Sequence, residues 1–246
     1  MSTYVLVHGS WHGSWSWEQV VPLLEQQGHT VHALDLPGYG AERPPWTEIT
    51  FQHYVDHVCQ VLDAQTEPVI LVGHSRGGVV ITQAAEERPE KIAALVYLCA
   101  FLPRNGESLI QLAQQDTETL IFPHLTFAED LGYIAIKDEG LAAYQEVFCA
   151  DCSDADAARA FARLLPDALA AAVTPVHTTD ARFGQIPRIY IHTLRDCTVG
   201  PALQRQMYTA LPCQQVITMD TSHSPFFAAP QELADHLASF AHVVAV

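Results

Sequence analysis

The stretch Pro68-Val69-Ile70-Leu71-Val72-Gly73-His74-Ser75-Arg76-Gly77 decides how this chain is read. An apolar, β-branched run ends in G-x-S-x-G, and a helix-forming stretch from Val79 to Glu87 follows at once. At average Gly and Ser usage the pentapeptide alone turns up in roughly one chain in ten or twenty of this size. Placed between a strand and a helix, it acquires a physical meaning. The turn is so tight that the serine is held in a strained backbone conformation, and side chains at positions 73 and 77 would clash, so both are glycine. Ser75 then presents its hydroxyl above a sheet edge, at a helix N-terminus whose dipole and free N–H groups favour a developing anion.

Outward from this turn, short β-branched runs alternate with helix-length segments, the pattern of a parallel sheet with crossover helices and hence of an α/β fold. The spacing predicts strands over Tyr4 to His8, Thr30 to Leu34, Val69 to Val72, Ala93 to Leu98, Arg188 to His192 and Gln215 to Met219. Several are apolar throughout, as strands covered on both faces are. Helical periodicity links Trp17, Val20, Val21 and Leu24, then Tyr54, Val58, Val61 and Leu62, then Leu233, His236, Leu237 and Phe240. The alternation stops after Leu98. Residues 102–185 show no βαβ rhythm, and Ser153-Asp154-Ala155-Asp156 opens an Ala-rich helix that Pro166 interrupts. An insertion of this length at the C-terminal edge of a parallel sheet reads as a helical cap over a ligand site, leaving residues 1–101 and 186–246 as the core.

A serine hydroxyl is a poor nucleophile near neutral pH, so a histidine must take its proton and a carboxylate must hold that histidine in the right tautomer. In a strand–turn–helix arrangement of this kind the chain order is Ser, acid, His, each on a loop after a strand. His223 follows the last predicted strand in Asp220-Thr221-Ser222-His223-Ser224-Pro225 and is the expected base. His192 falls within a strand, and His236 and His242 within the last helix, so these and His74 read as packing or surface residues. Asp196, just past the strand Arg188 to His192, is the expected acid, with Asp220 and Glu107 as rivals. The oxyanion formed on a substrate carbonyl needs donors, and the backbone N–H groups of Arg76 and Ser10 are the expected pair. Ser10 lies in the Gly/Ser-rich loop His8-Gly9-Ser10-Trp11-His12-Gly13, where Gly9 lets the backbone approach closely. Gly9, Trp11, His12 and Ser224 are the candidate pocket residues.

Composition narrows the partners. The chain has 246 residues, of which 49% are hydrophobic, and a formal charge of −16. That charge opposes binding to nucleic acid or to an anionic membrane, and at long range it disfavours anionic substrates. There is no apolar run of transmembrane length, and the start Met1 to His8 has no basic region before an apolar stretch, which predicts an unexported, cytoplasmic protein. Cys59, Cys99, Cys149, Cys152, Cys197 and Cys213 read as reduced thiols, mostly beside apolar runs. The close pair Cys149 and Cys152 lacks a second pair and a preceding strand, so neither a zinc site nor a redox motif is expected.

The chain resembles the α/β-hydrolase superfamily, in the branch of plant methyl esterases, hydroxynitrile lyases and bacterial pyrethroid-type carboxylesterases. The resemblance rests on Val5 to Gly13, Asp35-Leu36-Pro37-Gly38-Tyr39-Gly40, the serine turn, Ala100-Phe101-Leu102-Pro103, and the Asp196 and His223 loops. It implies a six-stranded mostly parallel sheet flanked by helices, an inserted helical cap over an apolar pocket, no cofactor or metal, and frequent homodimerisation. It also carries Ser75, Asp196 and His223 onto a catalytic triad. Hydroxynitrile lyases of this branch have threonine at the Gly9 position and lysine at the Ser224 position, and methyl esterases have glycine at the former. The cap lacks the tryptophan that plant hormone esterases place against an aromatic acid. The expected activity is therefore that of a serine carboxylesterase on small to medium neutral hydrophobic esters, the alternatives being cyanohydrin cleavage or a low-turnover ligand receptor.

Overall fold

The computed structural model describes residues 1–242, the His242 side chain excepted. The chain runs β1 (Thr3–Val7), α1 (Val21–Gln26), β2 (Thr30–Leu34), α2 (Phe51–Asp63), β3 (Val69–His74), α3 (Gly77–Glu87) and β4 (Ile92–Leu98). The segment that breaks the alternation holds α4 (Leu109–Ala113), β5 (Leu125–Ala128), β6 (Tyr133–Ile136), α5 (Leu141–Phe148), α6 (Asp154–Phe161), β7 (Asp167–Ala168) and α7 (Leu169–Val173). The alternation then resumes with β8 (Arg188–Thr193), α8 (Pro201–Ala210), β9 (Gln215–Met219), α9 (Pro225–Ala228) and α10 (Pro230–Ser239).

Six strands form one parallel sheet in the order β2-β1-β3-β4-β8-β9. Its inner strands are apolar at successive positions because alternate side chains feed two separate core layers. Val5, Val7, Leu71, Leu95 and Tyr97 pack with Tyr54 and Val58 of α2 and Val80 and Ala84 of α3. Tyr4, Leu6, Ile70, Val72 and Val96 pack with Leu24 of α1 and with Leu233 and Leu237 of α10. Each such Val, Leu or Ile contributes about 1.5–3 kcal/mol by leaving water. The sheet is therefore rigid where β1 and β3 end, and the loops that leave those ends inherit fixed positions.

Two features of the insertion differ from the sequence reading. It carries a three-stranded antiparallel sheet, β5-β6-β7, besides its helices. Strands this short give too few alternations to stand out from a loop. The helix opened by Ser153, whose hydroxyl accepts the Asp156 backbone N–H at 3.1 Å, ends at Phe161, short of Pro166. In the core, β3 extends through His74, so the strand runs directly into the turn.

That turn is closed by backbone contact. A Cβ on Gly73 would stand 2.7 Å from the Gly77 carbonyl, and one on Gly77 would stand 2.7 Å from the Val7 oxygen. Neither neighbour is a flexible side chain, so the start of α3 sits directly on β1 and β3. Gly77→Ala is expected to cost about 1–3 kcal/mol of stability through overpacking, read as a lower urea midpoint at unchanged m-value.

Candidate active site

Ser75 occupies the left-handed region at φ +53. This costs a non-glycine residue on the order of 1–3 kcal/mol, so the surroundings must over-determine it. They do so through its own peptide groups. The Ser75 N–H donates to the Leu98 oxygen at 3.2 Å, and its carbonyl accepts from Gly78 N and Phe101 N, each at 3.1 Å. The residue is 5% exposed and lines a cavity of about 50 Å³. Ser10 and Trp11 share that wall, and Leu109, Ile121, Ile134 and Ala172 of the insertion close it with apolar surface.

His223 and Asp196 meet away from solvent. His223 Nδ1 lies 2.8 Å from Asp196 Oδ2, with side-chain exposures of 1% and 0%. Asp196 is held by further donors: Thr193 Oγ1 at 2.9 Å and Gln204 Nε2 at 3.1 Å on Oδ2, and Thr198 N and Val199 N at 2.8 Å each on Oδ1. With Nδ1–H given to the carboxylate, Nε2 is the free acceptor of the ring. The rival acids are occupied elsewhere. Asp220 is 75% exposed and pairs with Arg195, and Glu107 pairs with Arg104. The other histidines pack or pair locally: His192 is buried near Tyr208, and His236 lies 3.6 Å from Glu232. The His242 side chain lies outside the described residues.

The loop after β1 brings its backbone to the serine. Among the described residues neither the Ser10 nor the Arg76 backbone N–H has an acceptor. A Cβ on Gly9 would stand 2.8 Å from both Ser75 Cβ and His74 Nδ1, so the close approach that glycine permits is to the turn. Of the candidate pocket residues, Trp11 lines the cavity, its indole N–H donating to the Ile134 carbonyl at 3.0 Å. Gly9, His12 and Ser224 do not line it. Gly9 is stacked behind Ser75. His12 is turned inward by bonds from its ring to Ser10 O at 2.8 Å and the Tyr144 hydroxyl at 2.9 Å. Ser224 is fully buried at the start of α9, where its carbonyl accepts from Phe227 N and Ala228 N.

Three of the buried histidines, His8, His12 and His74, are kept neutral. Burial lowers His12 to about 4 and holds His8 and His74 well below the ordinary imidazole value. His74, Cys99 and His223 form a compact group within 4.8 Å, a spacing compatible with a metal. Their protons are already committed, because His74 Nε2 and the Cys99 thiol both donate to the His223 carbonyl, at 2.9 and 3.5 Å. All six cysteines are free, with Cys59, Cys99 and Cys149 buried and the other three partly so. Helix α5, not a strand, precedes the Cys149/Cys152 pair. The turn between them presents Asp151, which accepts the Ser222 backbone N–H at 2.9 Å and the Ser222 hydroxyl, and pairs with Arg195 at 3.2 Å.

A family model described as "Alpha/beta hydrolase family" matches residues 4–236. The chain belongs to that family. Within it, the chain is similar to a pyrethroid hydrolase of Sphingobium wenxiniae, 32% identical over 96% of this chain and 86% of the relative. It is 32% identical to salicylic acid-binding protein 2 of Nicotiana tabacum, over 97% and 96% of the two chains. It is 31% identical to methylesterase 8 of Arabidopsis thaliana, over 97% and 89%. Among solved structures, a pyrethroid hydrolase from Sphingobium faniae superimposes with a TM-score of 0.85 at 28% identity, covering 98% and 97%. The α/β-hydrolase fold and the six-stranded parallel sheet anticipated from the sequence are thus established.

Asp151, Gln204 and Asp167 were not singled out in the sequence. Asp167 and Gln204 lie outside any motif, Asp151 lies within the Cys149/Cys152 pair, whose spacing suggests other chemistry, and all three reach the site by folding alone. Asp167 pairs with the buried Arg76 guanidinium, Nε to Oδ2 at 2.9 Å, and accepts the Tyr54 hydroxyl at 3.0 Å. Burial works against the Arg76 charge, yet Asp167, Tyr39 and Tyr54 together hold its pKa above the usual value.

The neutral histidines set an acid limit. The unfolded chain protonates His12 near its ordinary value of 6.5 and the folded chain only near 4, so the unfolded state binds more protons between these values. Stability is then complete above pH 6.5 and declines as pH falls toward 4. Each such histidine contributes up to about 1.4 kcal/mol per pH unit. Thermal denaturation should show the midpoint falling steadily across this window, and a level midpoint would contradict buried neutral imidazoles.

Proposed function

We propose that the chain is a serine carboxylesterase in which Ser75 is the nucleophile, His223 the general base and acid, and Asp196 its orienting carboxylate. The observation that carries this reading is the enclosed His223–Asp196 pair at 2.8 Å, together with a strained serine on the wall of an apolar cavity. Relatives named as a methylesterase and a pyrethroid hydrolase, about a third identical across nearly the whole chain, make it a carboxylic ester hydrolase.

In this mechanism Ser75 Oγ attacks the ester carbonyl while His223 Nε2 takes its proton, and the resulting imidazolium is stabilised by Asp196. The oxyanion is met by the Arg76 and Ser10 N–H groups, a donor of this kind being worth about 3–4 kcal/mol. His223 returns the proton to the leaving alcohol. Water then attacks the acyl-enzyme with His223 again as base. Residues 102–185 act as a cap over a core of 1–101 and 186–246. The apolar wall and the charge of −16 favour small to medium neutral hydrophobic esters.

A panel of p-nitrophenyl esters with mandelonitrile, run on the wild type, Ser75→Ala and Asp196→Asn, tests the assignment. Ser75→Ala is expected to lose at least about 10⁴-fold in kcat, and Asp196→Asn a similar factor through the wrong tautomer. Full activity in Ser75→Ala would overturn the mechanism. Cyanide release exceeding ester turnover would move the assignment to cyanohydrin cleavage.

A further inference from the structure

Two buried donors converge on one carbonyl in the loop after β1. His8 Nδ1 lies 2.8 Å from Gly9 O, and His8 Nε2 takes the Leu36 backbone N–H at 3.2 Å. The ring is neutral, so Nε2 is its acceptor and the single proton sits on Nδ1, donated to Gly9 O. Arg76 Nη2 donates to the same oxygen at 3.1 Å. Both side chains are fully buried, so neither bond competes with solvent.

That carbonyl belongs to the same peptide unit as the Ser10 N–H. No peptide in the described chain is cis, so the N–H points away from the carbonyl and its two donors. Ser10 lines the cavity beside Ser75, and its N–H has no acceptor among the described residues. Donors on a carbonyl polarise the whole amide and strengthen its N–H, the more so where the dielectric is low. The guanidinium is in turn fixed from the other side, by Asp167 of β7 at 2.9 Å and by the Tyr54 ring 4.6 Å below it.

We infer that the Arg76 side chain is a positioning residue for ester hydrolysis: anchored by Asp167, it orients and polarises the Gly9–Ser10 peptide so that the Ser10 N–H meets the oxyanion formed at Ser75. This rests on the esterase reading, and within it on Ser10 as an oxyanion donor. Arg76 thereby serves both donors. Its own backbone N–H is one, and its side chain governs the other through the Gly9 carbonyl. A purely structural ion pair predicts something different, since a buried pair can be replaced by neutral residues with little loss once both charges go together.

The deciding variant is Arg76→Met/Asp167→Asn, which removes both charges and strands neither. The inference predicts a kcat lower by about 10–100-fold with KM within about twofold, because the lost interaction strengthens only as the oxyanion forms. Affinity for an alkyl trifluoromethyl ketone, which forms a tetrahedral adduct with the serine, should fall by the same factor as kcat/KM. Affinity for the corresponding secondary alcohol should not change, and the Ser10 amide proton should move upfield. A folded double variant with kcat within twofold of wild type, unchanged ketone affinity and an unshifted Ser10 amide overturns the inference. If the double variant does not fold, Arg76→Lys decides. It keeps the cation but loses the fork that spans Asp167 and Gly9, so an intermediate kcat and amide shift support the inference, and wild-type values overturn it. Failure of the underlying reading looks different, because Ser75→Ala would then retain activity whatever the Arg76 variants do.

Discussion

The close crossing of backbone at the serine turn is the constraint on which the rest depends. Gly73 lies against Gly77 and Gly77 against the Val7 carbonyl, so α3 is seated on β1 and β3 with no side chain between them. This forces Ser75 into the left-handed region, a strain the sheet sustains through the Leu98 and Phe101 hydrogen bonds. It also fixes the relation of the Arg76 N–H to the loop that leaves β1. Local strain and a rigid sheet thus present a hydroxyl beside two backbone N–H groups that have no acceptor among the described residues.

The remaining precision comes from saturating polar groups rather than from apolar packing. Asp196 accepts donors on both oxygens, so its carboxylate has one orientation to offer His223. The His223 carbonyl is gripped by His74 and Cys99, and the residue before it, Ser222, is gripped by Asp151. Asp151 and Asp167 both come from the segment between β4 and β8. That segment therefore does more than cover the cavity. It supplies carboxylates that hold the histidine loop on one side and the Arg76 guanidinium on the other.

What the sequence revealed and what it hid divide along the range of the interactions. The serine turn is a local object, so a pentapeptide between an apolar run and a helix identified it. The positions of Asp196 and His223 followed from chain order around a parallel sheet, because each lies just past a strand whose apolar pattern is strong. Asp167, Asp151 and Gln204 had no such marker, since their partners Arg76, Ser222 and Asp196 lie on other elements and only the tertiary fold joins them. The short strands β5 to β7 carried too few alternations to be read. His12 lies on the loop after β1 and Ser224 follows His223, but position along a loop does not say which way a side chain turns. Both turn inward.

In the proposed mechanism ester cleavage passes through a covalent acyl group on one particular hydroxyl, that of Ser75. Mixing the chain with a p-nitrophenyl ester, quenching in acid during turnover and mapping the modified peptide by mass spectrometry tests this most directly. The acyl group is expected on Ser75, appearing with the burst of p-nitrophenol and decaying as substrate is exhausted. An acyl group found on another residue, or sustained ester turnover with no acylated peptide in an enzyme whose deacylation is rate-limiting, would contradict it.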